Sequence, residues 1–61
     1  MKVRQIEANF HHTETNRKEV LAVTCWFTDR NEQYELTKVW VVEFNAALLF
    51  DKNTNTFLVP D

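Results

Sequence analysis

The chain contains no glycine, and this restricts every tight turn it can make. A backbone that must pass through positive φ normally does so at glycine. Without it the position falls to asparagine or aspartate, whose short polar side chains tolerate the left-handed region. The six asparagines are therefore expected to punctuate the fold. The same absence excludes chemistry: neither a Gly-rich phosphate-cradling loop nor a glycine-flanked nucleophile elbow can be built.

The second constraint is length. Sixty-one residues make one domain, residues 1–61, with a core too small to be generously stable. Domains of this size usually carry a staple. One cysteine, Cys25, allows no internal disulfide, and with only His11 and His12 beside it a structural zinc site is not expected. Self-association, most simply a homodimer, is the remaining staple. The lone thiol points to a reducing compartment, and the expected location is cytoplasmic. Glu7 and Asn9 interrupt the stretch where a signal peptide needs apolar residues, and no apolar run approaches the ~20 residues that span a bilayer.

Hydrophobic periodicity reads as β throughout. In Lys2 to Phe10, Arg4, Ile6, Ala8 and Phe10 share one face, and Val3, Gln5, Glu7 and Asn9 the other. Residues 11–19 are polar and form a solvated loop or loose hairpin tip. Residues 20–28 place Leu21, Val23, Cys25 and Phe27 opposite Val20, Ala22, Thr24, Trp26 and Thr28. Both faces are apolar enough for a central or interface strand, and either could be the inner one. Residues 29–32, Asp-Arg-Asn-Glu, read as a hairpin turn. Residues 33–44 alternate again, with Tyr34, Leu36, Trp40, Val42 and Phe44 on one side; the run is long for a strand, so either a bend or bulge around Thr37 and Lys38 is expected, or a strand that serves two neighbours. A second hairpin follows, with residues 46–50 and 56–59 as arms and residues 51–55 as the turn.

The fold expected is all-β: a small antiparallel meander of about five strands, forming a half-barrel or open sheet. Helical spacing at Leu36, Val39, Trp40, Glu43, Phe44, Ala47 and Leu48 supports a rival α+β reading with one short helix near residues 44–51. Val39, Val41 and Val42 argue against it.

No catalytic constellation emerges, and no cofactor or metal is implied. Cys25 lies mid-strand among aliphatics, where a thiol acts as a small apolar residue. His11, His12 and Glu14 are too sparse for a metal site, and Glu32 and Glu35 read as solvated rim. Eight aromatic residues stand out in so short a chain. Most are needed for the core; Trp26, Trp40 and Tyr34 are the candidates for a partner surface. The function expected is a non-enzymatic protein-binding module, such as an inhibitor, regulator or accessory subunit. The alternative is a small barrel that binds single-stranded nucleic acid through Lys2, Arg4, Arg17, Lys18 and Lys38. A net charge of −2 weighs against that alternative, although residues 1–18 carry +2 and the remainder −4.

Overall fold

All three hairpin turns follow one plan, and asparagine supplies it. The computed structural model describes residues 2–60. It contains β1 (Lys2–His12), β2 (Arg17–Phe27), a short helix α1 (Asp29–Gln33), β3 (Leu36–Val41), a 3-10 turn (Val42–Phe44), β4 (Ala46–Asp51) and β5 (Thr56–Val59). The β1–β2 ladder closes at His12 and Arg17, the β3–β4 ladder at Val41 and Ala46, and the β4–β5 ladder at Asp51 and Thr56. Each connection is thus four residues long, and each ends on an asparagine at positive φ: Asn16 at 57°, Asn45 at 50° and Asn55 at 55°. In every ladder the paired residues share a face of the sheet, so inward residues face inward residues.

A meander of five strands has a topological consequence. Directions alternate, so the first and last strands run the same way, and the barrel closes through a parallel seam pairing Asn9–His12 with Thr56–Val59. Around the seam, the Asn9 N–H donates to the Asn55 carbonyl at 2.9 Å and the Thr13 N–H to the Val59 carbonyl at 3.0 Å. The Asn55 side-chain amide donates to the Glu7 carbonyl at 2.9 Å. The structure is therefore the expected five-strand meander, closed into a barrel rather than left as an open sheet.

Inside lie Ala8, Phe10, Val23, Cys25, Val39, Val41, Leu48, Phe50, Phe57 and Val59. All five phenylalanines join in one file across the core. Phe44 stacks on Phe10 (ring centroids 5.1 Å apart), Phe10 on Phe57 (4.9 Å), Phe57 lies against Phe50 (4.4 Å), and Phe50 meets Phe27 edge-on (6.2 Å). The ambiguity at residues 20–28 resolves with Val23 and Cys25 inside, leaving Val20, Ala22 and Trp26 outside.

Four local expectations are corrected. Residues 11–19 are mostly strand, because β1 runs to His12 and β2 starts at Arg17, leaving only a four-residue tip. Residues 46–51 are β4, so the helix near 44–51 is absent. The segment 29–32 is helix α1 and not a hairpin turn. Residues 33–44 are no single strand: β3 keeps an unbroken register from Leu36 to Val41, with no bend at Thr37 and Lys38, and it serves two neighbours, β2 and β4.

The reason for α1 is a capping box made by Thr28 and Asn31. The Asn31 side-chain oxygen accepts from the Thr28 N–H at 2.7 Å and from its hydroxyl at 3.1 Å. The Asn31 amide donates to Thr37 Oγ1 at 2.7 Å and to the Lys38 carbonyl at 2.9 Å. Asn31 is the one buried polar side chain among the described residues, and it ties the end of β2 to β3 through a helix too short to stand alone.

Two stability predictions follow from this wiring. Asn31→Ala leaves three partners unsatisfied and is expected to cost about 2 to 3 kcal/mol, measured by urea unfolding. Asn45→Ala is expected to cost about 1 kcal/mol while Asn45→Gly stays near neutral, since only the former penalises positive φ.

Candidate interaction surface

Trp26 and Trp40 stand opposite each other on adjacent strands. Strand parity turns both to the outer face, where they are 39% and 43% exposed. In register with them, Val3 on β1 pairs with Trp26 and Ala47 on β4 pairs with Trp40. The result is one row across four strands, Val3–Trp26–Trp40–Ala47, in which every side chain is apolar. Side chains at paired positions such as these can stabilise a strand pair, yet here each tryptophan keeps much of its surface in water.

Leu36 and Val42 are also exposed, and Leu36 lies on the same side of β3 as Trp40. These two and Val3 were not singled out in the sequence. The alternation of residues 33–44 sets Leu36, Trp40 and Val42 on one side and Val39 and Val41 on the other, without saying which faces in. The inner positions of β3 are Val39 and Val41; β-branching does not mark them, since Val42 is β-branched and exposed.

Tyr34 does not sit on the sheet. It caps the C-terminus of α1, its N–H donating to the Arg30 carbonyl at 3.2 Å, and its ring is 53% exposed. With Arg30, Leu36, Lys38 and Leu49 it lines a shallow groove of about 550 Å³ between α1 and the β3–β4 hairpin.

The basic residues scatter. Lys2 and Arg4 share the inward parity of β1 at the end nearest α1. Lys2 pairs with Glu32 at 3.7 Å, and the Arg4 guanidinium sits 5.9 Å from the Phe27 ring centroid. Arg17 and Lys18 lie at the opposite end, paired in register with His12 and His11. Lys38 alone shares the outer side of β3 with Trp40.

His11 and His12 turn to opposite faces, as neighbours on a strand must. His11 Nε2 contacts Asn16 Oδ1 at 2.8 Å, and His12 Nε2 meets Glu19 Oε1 at 3.0 Å. Among the described residues, no three His, Cys, Asp or Glu side chains gather as metal ligands, and no helix is long and apolar enough to cross a membrane. Glu32 and Glu35 lie in and just after α1, not on strand faces. The Glu35 carboxylate accepts from the Asn53 side-chain amide at 3.1 Å, and the Glu32 carbonyl from Lys52 Nζ at 3.0 Å. Burial, reinforced by the Glu43 charge, pushes the Cys25 thiol up to about 11, far from the thiolate a nucleophile needs.

Glu43 is a residue the sequence did not flag. The chain leaves β3 for the 3-10 turn at Val42, so β2 and β3 pair only at Cys25–Val41 and Trp26–Trp40. Just beyond, the Thr24 N–H donates to Glu43 Oε1 at 2.7 Å, a side chain replacing the lost strand. That bond holds the Glu43 carboxyl below its usual 4.5. A carboxyl whose pKa is depressed on folding adds stability above its unfolded value, and this is lost as pH falls through the folded one. Glu43→Gln is therefore expected to flatten the drop in melting temperature between about pH 5 and pH 3, measured by circular dichroism.

Compared with models of protein families, with curated proteins and with solved structures, the chain matches none.

Proposed function

We infer that the protein is a non-enzymatic binding module that engages a protein partner through the outer row Val3–Trp26–Trp40–Ala47. The observation that carries this reading is the in-register tryptophan pair, two-fifths exposed on each side, while every phenylalanine is drawn into the core file. Tryptophans flanked by aliphatic side chains supply large contact area at low entropic cost, which is how interface hot spots are built. Catalysis has little support beside it, since the cysteine is buried with a raised pKa. A buried reduced thiol also fits a cytoplasmic setting.

The nucleic-acid reading is the weaker of the two. A stacking platform needs cations on the face that carries the rings. Here Lys2 and Arg4 take the inward parity, and Arg17 and Lys18 sit at the far end of the hairpin. An inhibitor, regulator or accessory subunit would use the tryptophan row in the same way.

Trp40→Thr separates the possibilities. Threonine keeps a β-branched side chain in β3, so the stability loss is expected to stay near ~1 kcal/mol. Tagged wild-type protein is expected to retain a protein in fixed ratio from native lysate through a high-salt wash, and the variant to release it. Retention unchanged in the variant, or recovery of nucleic acid that leaves at moderate salt, would overturn the reading.

A further inference from the structure

We propose that the open edge of β2 from Lys18 to Ala22 pairs antiparallel with the same edge of a second copy, about a two-fold axis through Val20.

In an antiparallel strand, alternate residues turn their N–H and C=O to opposite edges. The Thr24 N–H reaches Glu43 and not β1, so Thr24 points away from β1, and Ala22, Val20 and Lys18 share that direction. Among the described residues, no backbone or side-chain group pairs with these three on that side, because β3 meets β2 only at Cys25 and Trp26. The open edge is bounded by the Glu43 cap at one end and the Asn16 turn at the other. Val20 is its midpoint and is 59% exposed.

The usual guards are missing at that midpoint. There is no proline, the β1–β2 register runs unbroken with no bulge, and the central outward residue is apolar and β-branched. The free edge of β1 offers less open backbone: Val3, Gln5 and Glu7 turn to it, and the Glu7 carbonyl already accepts from the Asn55 side-chain amide.

Register selects the two-fold. Centred on Val20, it sets Lys18 opposite Ala22, Glu19 opposite Leu21 and Arg17 opposite Val23, with no like charges facing. One step toward the turn puts Glu19 opposite its own copy. One step the other way puts Lys18 opposite Thr24, whose N–H is already taken by Glu43. The symmetric pairing uses all the open edge and nothing else. The short overlap buries little surface, so the association is a weak one that appears at high protein concentration. It places both tryptophan rows on one side of a shared sheet, with the Trp26 positions roughly 40 Å apart along the strands.

Sedimentation equilibrium from about 10 μM to 1 mM tests this. Wild-type protein is expected to move from one chain mass toward two. Val20→Lys faces two cations across the axis and is expected to weaken association about tenfold or more, with the circular dichroism spectrum unchanged. Val20→Cys gives a second readout. The Cα separation of a hydrogen-bonded pair, about 5.5 Å, falls within disulfide reach, and buried Cys25 does not compete. This variant is expected to cross-link under mild oxidation faster than Glu7→Cys on the outer face of β1. A wild type that stays monomeric at the highest concentration, an association unchanged by Val20→Lys, or equal cross-linking of the two cysteine variants overturns the proposal. A monomeric wild type would instead leave the edge to a strand from another protein.

Discussion

The file of five phenylalanines is the contact on which the barrel depends. Phe44, Phe10, Phe57, Phe50 and Phe27 come from the 3-10 turn, β1, β5, β4 and β2, so one continuous aromatic contact joins segments that backbone pairing links only in part. Removing a buried phenylalanine typically costs ~3 to 5 kcal/mol, which is about all that a core of this size supplies. The fold therefore has no redundancy at Phe10 or Phe57, both fully buried. The single cysteine is free, so aromatic packing does here what a disulfide does in many domains of this size.

Polarity sorts the aromatics in a way composition cannot. Phenylalanine has no polar atom to satisfy, and all five are inside or packed against the core. The two tryptophans and the tyrosine, which carry an N–H or O–H, are all exposed. At the one place where a polar side chain is buried, Asn31, all its hydrogen-bonding capacity toward Thr28, Thr37 and Lys38 is used. The open end of the β2–β3 ladder is handled in the same spirit, with the Glu43 carboxylate meeting the Thr24 N–H where a strand would have done. Small size thus leaves three kinds of junction to three kinds of bond: aromatic stacking, an asparagine clasp and a carboxylate cap.

Strand periodicity was readable wherever one face is decisively apolar. Ile6, Ala8 and Phe10 announce β1, and the asparagines at the turns follow from the lack of glycine. Reading failed where a local bond overrides the pattern. The hairpin expected at residues 29–32 is helix because Thr28 and Asn31 cap each other, with asparagine standing where a capping box usually has Glu or Gln. In residues 33–44 the alternation separated Leu36 and Trp40 from Val39 and Val41 but left open which side faces in; the structure buries Val39 and Val41 and exposes Leu36 and Trp40. Trp26 and Trp40 were legible as candidates, whereas their direct apposition depends on a two-residue ladder that no local pattern specifies.

The parallel seam also fixes where the chain enters and leaves. Lys2 begins β1 beside α1, whereas Val59 ends β5 beside His12, one full strand length away. The barrel measures 31 Å along its longest dimension, comparable with that separation. A pull on the chain at Lys2 and Val59 therefore slides β1 and β5 past each other, loading the hydrogen bonds of the seam together rather than one after another. An even-stranded meander would bring both ends to one pole, where the same pull peels strands apart. The odd strand number makes this barrel a tie that resists tension in shear.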